Sequence, residues 1–148
     1  MMSHYMRRFR LVIDTSVVVA GLRSRLGASN RVLTLISERQ LVPLVTTALF
    51  LEYEEVLRRP EHRLATGMSE TGVTEFLAAF ASAAEPVDVH FRWRPQLRDT
   101  NDEMILEAAV NAKADAIVTH NVSDFLPAAG EFAIRIMTPA ALLKELRK

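Results

Sequence analysis

Short apolar segments alternate with longer helical ones along this chain, and the alternation restricts the folds that it can form. Residues 9–13, 41–45 and 116–119 are rich in valine, leucine and isoleucine and are predicted as strands. Residues 68–84 and 100–112 place apolar side chains three and four positions apart, as amphipathic helices do. Strands that are apolar on both faces are typical of a parallel sheet covered by helices on both sides. We therefore predict an α/β chain with a mainly parallel sheet.

The remaining segments fit the same plan. Further strands are predicted over residues 86–89 and 133–137, and further helices over residues 15–22, 31–39, 47–59 and 139–147. Pro60 is expected to end the helix before it, and residues 124–126 are predicted as a short turn. The sequence shows no internal repeat and no linker-like stretch. We therefore predict one domain over residues 7–148 and a flexible N-terminal tail over residues 1–6.

The composition excludes several classes of protein. The 148 residues contain no cysteine, which rules out disulfides, cysteine–zinc sites and thiol nucleophiles. No apolar run approaches the ~20 residues that span a bilayer, and no signal peptide is recognisable, so a cytoplasmic protein with no membrane association is expected. The net charge is zero. Overall charge therefore gives no argument for nucleic-acid binding, although 15 of the 18 basic residues are arginine.

Four carboxylates lie near one end of the predicted sheet. Asp14 comes directly after the first strand, and Glu52 lies in the first turns of the helix after the second. Asp102 begins the helix that leads to the strand at 116–119, and Asp124 follows that strand. Because sites in parallel sheets form outside the carboxyl ends of the strands, these four acids make up the candidate site.

Each acid alone also has a purely structural explanation. Asp102 would complement the dipole of its helix, Asp124 would cap a turn, and Glu52 would be a solvated surface charge. Asp14 fits such an explanation less well, because it lies between two apolar segments and is expected to be partly buried. Asp102 shares a helix face with the apolar side chains three and four positions later, which directs it toward the strand ends.

The acids together suggest a metal site, although the choice of the helix acid is open. Glu54 and Glu55 are alternatives to Glu52, which is favoured mainly by its nearness to the end of the second strand. Carboxylates brought together repel one another and raise one another's pKa, and a divalent cation removes that repulsion. Oxygen ligands without cysteine suit Mg²⁺ or Mn²⁺ rather than zinc. Such an ion activates water at phosphate esters, so a metal-dependent enzyme acting on phosphate esters is predicted.

Four pieces of the chain, in this order and spacing, resemble a known family. They cover residues 11–17, 52–60, 99–109 and 117–126, with the sequences LVIDTSV, EYEEVLRRP, DTNDEMILEAA and IVTHNVSDFL. With these pieces the chain resembles a PIN-domain ribonuclease, of the kind found as the toxin in bacterial and archaeal toxin–antitoxin pairs. The resemblance implies a three-layer α/β/α sandwich with a central sheet of four to five strands. It also implies an acidic cluster that binds Mg²⁺ or Mn²⁺ and cleaves single-stranded RNA.

The resemblance assigns a role to each matched position. Asp14, Glu52 and Asp102 match the first three acids of the family. Many PIN domains have an aspartate where this chain has Asn121, and a neutral amide binds metal less tightly, so the fourth acidic role is assigned to Asp124. Catalytic roles therefore fall to Asp14, Glu52, Asp102 and Asp124, with Asp14, Asp102 and Asp124 as metal ligands. Supporting roles fall to Ser16, Asp99, Thr119 and Asn121.

The same resemblance implies an RNA substrate, a cognate antitoxin protein and a homodimer. Arg23 and Arg25 are the preferred RNA contacts, because their loop follows the helix behind Asp14. Weaker candidates for contact with the substrate are Arg7, Arg8, Arg58, Arg59, His120 and Trp93. Phe91 and Trp93 are suggestive of a protein interface.

Three other functions compete with the nuclease. A non-catalytic PIN-like module that binds RNA or protein is favoured by Asn121 and opposed by the intact acids. A receiver-type phosphotransfer domain would place its aspartate after a middle strand and a lysine after the last one, and neither is found. A dinucleotide-binding fold would need a glycine-rich turn after the first strand, which this chain does not have.

Overall fold

The fold is built on a five-stranded sheet in which every neighbouring pair of strands is parallel. The computed structural model describes residues 8–90 and 97–147. Its strands are β1 (Arg10–Ile13), β2 (Val42–Val45), β3 (Glu85–Pro86), β4 (Ala116–Val118) and β5 (Arg135–Met137). They lie in the order β3-β2-β1-β4-β5. The prediction of a mainly parallel sheet of four to five strands is confirmed.

Eight helices flank this sheet in the described ranges and complete the α/β/α sandwich. They are α1 (Thr15–Arg23), α2 (Ala28–Ser37), α3 (Thr47–Arg58), α4 (Pro60–Thr66), α5 (Glu70–Ala83), α6 (Thr100–Ala112), α7 (Val122–Phe132) and α8 (Pro139–Leu146). Within residues 8–90 and 97–147, no helix is long and apolar enough to cross a membrane. The predicted tail over residues 1–6 lies outside the described residues.

The strand order places a topological switch beside the first strand. From β1 the chain moves outward to β2 and β3, and it returns to pair β4 with the opposite side of β1. Leu11, Val12 and Ile13 are fully buried, as are Ile117 and Val118 in β4, because helices cover both faces of these central strands. A crevice therefore opens at the carboxyl ends of β1 and β4, where the chain leaves the sheet in opposite directions.

Two local predictions were wrong, both at prolines. Residues 124–126 are part of α7, although that helix contains Pro127. Phe125 and Ala128 are buried in the core, and this packing holds the helix despite the hydrogen bond that proline removes. Pro60 follows the end of α3 as predicted, but it also begins α4, which the sequence analysis missed. Proline is preorganised for the first position of a helix, and the extended Arg59 before it serves both helices as a cap residue.

The amino end of the sheet is held by one arginine. Arg10 in β1 reaches across β2 to Glu85 in β3, with Nε 3.1 Å and Nη2 2.5 Å from the two carboxylate oxygens. Its Nη1 donates to the carbonyl of Ala112 at 2.9 Å, and its backbone N–H donates to the Asp115 carboxylate at 2.8 Å. Arg10 therefore has its charge paired with Glu85 and its donors satisfied.

Candidate active site

Asp14 occupies the point where β1 ends and α1 begins. Asp14 is only 7% exposed. Its backbone N–H donates to the Val118 carbonyl at 2.9 Å, and this hydrogen bond continues the pairing of β1 with β4. Its carboxylate caps α1 by accepting from the Ser16 N–H at 3.5 Å. The other carboxylate oxygen accepts from the Thr119 hydroxyl at 2.6 Å. The acid is thus fixed from two sides at the switch point of the sheet.

Thr119 joins the ends of the two central strands. It is fully buried directly after β4, and its backbone N–H donates to the Met137 carbonyl at 2.9 Å. Its hydroxyl donates to Asp14 and accepts from the Asn121 N–H at 3.0 Å. Thr119, predicted to have a supporting role, thus contacts the Asp14 carboxylate directly.

Glu52 differs from its two acidic neighbours on α3. Glu54 pairs with Arg58 at 3.3 Å and Glu55 with Arg59 at 2.9 Å, both on the outside of the helix. Glu52 is only 8% exposed, and its buried Oε1 has no hydrogen-bond partner among the described residues. Burial raises the pKa of Glu52, with a further contribution from Glu55 that Arg59 opposes. The structure therefore favours Glu52 as the helix acid.

Tyr53 connects the helix that carries Glu52 to the strand that precedes Asp14. Its hydroxyl donates to the Ile13 carbonyl at 2.5 Å, and its ring meets Phe80 edge to face with centroids 5.4 Å apart. Burial, with the nearby Asp14 charge, raises the pKa of Tyr53 well above its ordinary value, so the hydroxyl stays a donor. This contact has no local sequence signal, because Ile13 lies 40 residues before Tyr53.

Asp99 and Asp102 bring the beginning of α6 to the same place. Asp99 caps the helix by accepting from the N–H groups of Asn101 at 2.8 Å and Asp102 at 3.1 Å. Asp99 is thus the cap residue, and Thr100 is the first residue of the helix. The Glu103 carboxylate accepts from the Leu97 N–H.

Asp102 shows most clearly that the acids are close together. Burial, together with the negative charges of Asp99, Asp14 and Asp124, raises the pKa of Asp102 from 3.8 to about 6. These carboxylates come from three separate elements of the chain, β1, α6 and α7. The candidate site is thus an assembled acidic cluster rather than a local sequence feature.

Asn121 and Asp124 complete the cluster from the side of β4. Asn121 is the cap residue of α7, but its side chain makes no capping hydrogen bond. Asp124 lies in the first turn of α7, not in a loop as the sequence analysis expected, and its backbone N–H donates to the Asn121 carbonyl at 3.0 Å. Both side chains are exposed at the crevice. A carboxylate in the first helical turn is also stabilised by the helix dipole.

A cleft of about 450 Å³ runs over these acids. Seven of the eight predicted catalytic and supporting residues line it, namely Asp14, Ser16, Glu52, Asp99, Asp102, Asn121 and Asp124. The eighth, Thr119, lies beneath the cleft and holds Asp14. The structure therefore brings together all eight side chains that the sequence analysis singled out.

Some of the basic residues line this cleft, and others lie outside it. Arg23 lines it from the end of α1, whereas Arg25 is exposed outside it. Arg59 and His62 line it from the α3–α4 corner. His62 was missed because α4 itself was not foreseen. His120 lies outside the lining, and its Nε2 is 3.0 Å from the Ser29 hydroxyl of α2.

Three further candidates, Arg7, Phe91 and Trp93, lie outside the described residues. Arg8 donates to the Arg39 carbonyl at 2.9 Å at the amino end of the sheet, and Arg58 is bound to Glu54, Glu70 and Thr74 on the outer side of α3. Neither lines the cleft. We therefore retain neither as a contact for the substrate.

The donor chemistry of the cleft fits a hard divalent cation. In the described ranges, no three acidic or histidine side chains are grouped tightly enough to hold a metal ion as they stand. The available donors are nevertheless carboxylate oxygens, and the buried Glu52 Oε1 and Ser16 Oγ have no hydrogen-bond partner there. Oxygen donors of this kind suit Mg²⁺ or Mn²⁺. Asp14, Asp102 and Asp124, the predicted metal ligands, all line the cleft.

A family model described as PIN domain matches residues 10–123. The match begins at β1 and covers every predicted site residue except Asp124, which lies one position beyond its end. No curated protein matches the chain closely enough to name a relative.

Proposed function

The chain belongs to the PIN-domain family, whose members are generally nucleases, and we propose from this that it is a metal-dependent endoribonuclease that hydrolyses phosphodiester bonds of single-stranded RNA. One observation carries the proposal. Carboxylates from separate elements share one cleft, where burial and the neighbouring negative charges raise the pKa of Asp102 to about 6. Unpaired acids that lie close together repel one another and destabilise the fold, so stability does not explain this cluster. The arrangement is suited to a cation and to the phosphate that the cation would bring.

The acids have two kinds of role in this proposal. Asp14, Asp102 and Asp124 would hold Mg²⁺ or Mn²⁺. When bound, such an ion lowers the pKa of a water molecule and stabilises the oxyanions of an in-line displacement at phosphorus. Thr119 and the Ser16 N–H keep the Asp14 carboxylate facing the cleft.

Glu52 is proposed as the residue that positions the attacking water and accepts its proton. Its Oε1 is buried beside the cleft and has no partner among the described residues, so it is available to accept a hydrogen bond from that water. The raised pKa of Glu52 makes its carboxylate a stronger base than an exposed glutamate. Protonated Glu52 then loses its proton to solvent through the open cleft.

The direct test is cleavage of a mixed-sequence single-stranded RNA with Mg²⁺ or Mn²⁺. We expect the wild-type chain to cut, EDTA to abolish cutting, and Asp14→Asn to lower the rate roughly a hundredfold or more. Asp88→Asn is the matched control, because Asp88 is exposed and lies outside the cleft. Equal activity of Asp14→Asn and Asp88→Asn would disprove the proposal.

Asn121 favours the alternative of a non-catalytic module that binds RNA or protein. It occupies a position in the cleft where an acid would add a metal ligand. Absence of cleavage together with absence of Mg²⁺ and Mn²⁺ binding by calorimetry would support that alternative. An Asn121→Asp variant that gains metal binding would then identify the missing ligand.

We also propose that the chain is the toxin of a toxin–antitoxin pair, acting as a homodimer that a cognate antitoxin inhibits. This rests on the sequence resemblance alone. Expression in a bacterial host should arrest growth, and the Asp14→Asn change should relieve the arrest. Arrest by both proteins would contradict a nuclease toxin.

A further inference from the structure

Three of the cleft acids also border a second cleft. This second cleft of about 450 Å³ lies beyond them, and Asp99, Asp102 and Asp124 line both. Its other walls come from Leu97 and Arg98 before α6 and from Ser123 and Pro127 of α7. Both clefts fall within the roughly 300–1,000 Å³ range of ligand sites. The shared carboxylates therefore form a ridge with a ligand-sized space on each side.

We propose that an RNA strand crosses this ridge, with one nucleotide in each cleft and the scissile phosphate over the shared acids. The inference rests on the proposed nuclease function and adds a second nucleotide subsite, formed by Leu97, Arg98, Ser123 and Pro127. The acids repel a polyanion, so each flanking nucleotide needs a cation to hold its phosphate.

Two arginines are placed to supply those cations. Arg23 lines the first cleft and Arg98 lines the second. Within residues 8–90 and 97–147, neither side chain forms an ion pair or a hydrogen bond, whereas Arg58, Arg59 and Arg63 are all paired with glutamates. An unpaired guanidinium can bind a phosphate bidentately without first losing a partner.

The second cleft also has surfaces suited to a base. Leu97 and Pro127 give it an apolar wall, and the exposed Ser123 adds a hydroxyl that can donate or accept a hydrogen bond. Contacts of this kind tolerate different bases, because each base has an apolar face. Because the RNA continues on both sides of the ridge, the protein needs no free RNA end and cuts within the RNA strand.

RNA binding tests the subsites without relying on cleavage. A fluorescein-labelled single-stranded RNA is titrated in Mg²⁺ with proteins that all carry Asp14→Asn, so that the RNA stays intact. Arg23→Ala and Arg98→Ala should each weaken binding roughly three- to tenfold and reduce the slope of log K against log salt by about 0.7. Arg31→Ala, a change in an exposed arginine of α2 outside both clefts, should alter neither quantity. If Arg98→Ala binds RNA as tightly as Arg31→Ala does, the second subsite is overturned.

Shortened substrates test whether the two clefts lie on opposite sides of the cut. Removal of the nucleotides on one side of the mapped cleavage position should raise the KM of the wild-type chain. The same removal should change the KM little in one of the two variants, Arg23→Ala or Arg98→Ala. That variant is the one whose substituted arginine binds the removed nucleotides. If both variants respond equally to both truncations, the RNA does not cross the ridge.

A closed circular RNA separates this inference from the proposed function. Cutting of the circle at a rate similar to that of a linear RNA supports a strand that passes through. Cutting of linear RNA alone, dependent on Asp14, would keep the nuclease and overturn the two-sided groove. A chain that cuts neither RNA fails as a nuclease, and the binding titration alone then decides whether Arg23 and Arg98 hold RNA.

Discussion

The two ends of the sheet use the same kinds of residue in opposite ways. At the amino end, Arg10 pairs with Glu85 and its backbone N–H binds Asp115. At the carboxyl end, none of the cleft acids Asp14, Glu52, Asp99, Asp102 and Asp124 forms an ion pair with another described residue. The pKa values follow this difference, because the hydrogen bonds and charge of Arg10 lower the pKa of Glu85. Burial and neighbouring acids raise the pKa of Asp102 to about 6.

This contrast separates what stabilises the fold from what gives the PIN domain its function. Glu85 is ionised at neutral pH and favours the folded state, whereas ionisation of Asp102 disfavours it. Protonation of an acid or binding of a cation would relieve the repulsion at the carboxyl end. Three single-residue changes, Asp102→Asn, Glu85→Gln and Arg10→Met, test the contrast between the two ends.

The largest effect is expected when the same chemical change is made at each end. Asp102→Asn should lower the rate of RNA cleavage roughly a thousandfold, because it removes a proposed metal ligand. Glu85→Gln should leave the rate unchanged and lower the free energy of unfolding by about 1 kcal/mol, because a charged hydrogen bond to Arg10 is lost. Initial rates and urea denaturation of both variants measure the two effects.

The contrast would fail if both variants lost activity or if both lost stability. Loss of activity in Glu85→Gln would mean that the amino end of the sheet is coupled to the cleft. Loss of stability in Asp102→Asn would mean that Asp102 has a structural partner, which its raised pKa argues against.

Arg10→Met should be the most destabilising of the three changes. It keeps most of the apolar stem but leaves the Ala112 carbonyl and the Glu85 carboxylate without their donor. We expect a loss of about 2 kcal/mol in the free energy of unfolding, measured in urea. Arg135→Met is the control, because its 3.7 Å contact with Glu145 is exposed and should contribute little. Equal losses in the two variants would show that the hydrogen bonds of Arg10 contribute no more stability than an exposed ion pair does.

The sequence predicted the fold well because the central strands are defined by their own residues. The apolar β1 and β4 can lie only inside a covered parallel sheet, and that rule also located Asp14 at the strand end. The helices α4 and α7 were missed or misjudged because Pro60 and Pro127 are local signals of interruption. In α7, the burial of Phe125 outweighs the local effect of the proline, and burial is a property of the whole fold.

Site residues that belong to a motif were predictable from the sequence. Site residues whose position depends on a contact with a distant part of the chain were not. Glu52 could not be separated from Glu54 and Glu55 by sequence, because all three lie within one turn of α3. Their different partners, visible only in three dimensions, separate them. The hydrogen bond of Tyr53 to Ile13 and the placement of His62 have no sequence signal at all.

The smallest expected effect is a dependence of stability on pH. The folded-state pKa of Asp102, about 6, lies above its ordinary value of 3.8, so the folded chain binds more protons between these values than the unfolded chain does. Stability from this group is complete below its ordinary pKa and is lost as the pH rises through about 6. Because Asp102 is only partly buried, we expect a change of about 1 kcal/mol. In urea titrations with EDTA, Asp102→Asn should therefore match the wild-type chain at about pH 4 and exceed its stability at about pH 7. A constant difference between the two proteins over that range would show that burial and the neighbouring acids do not raise the pKa of Asp102.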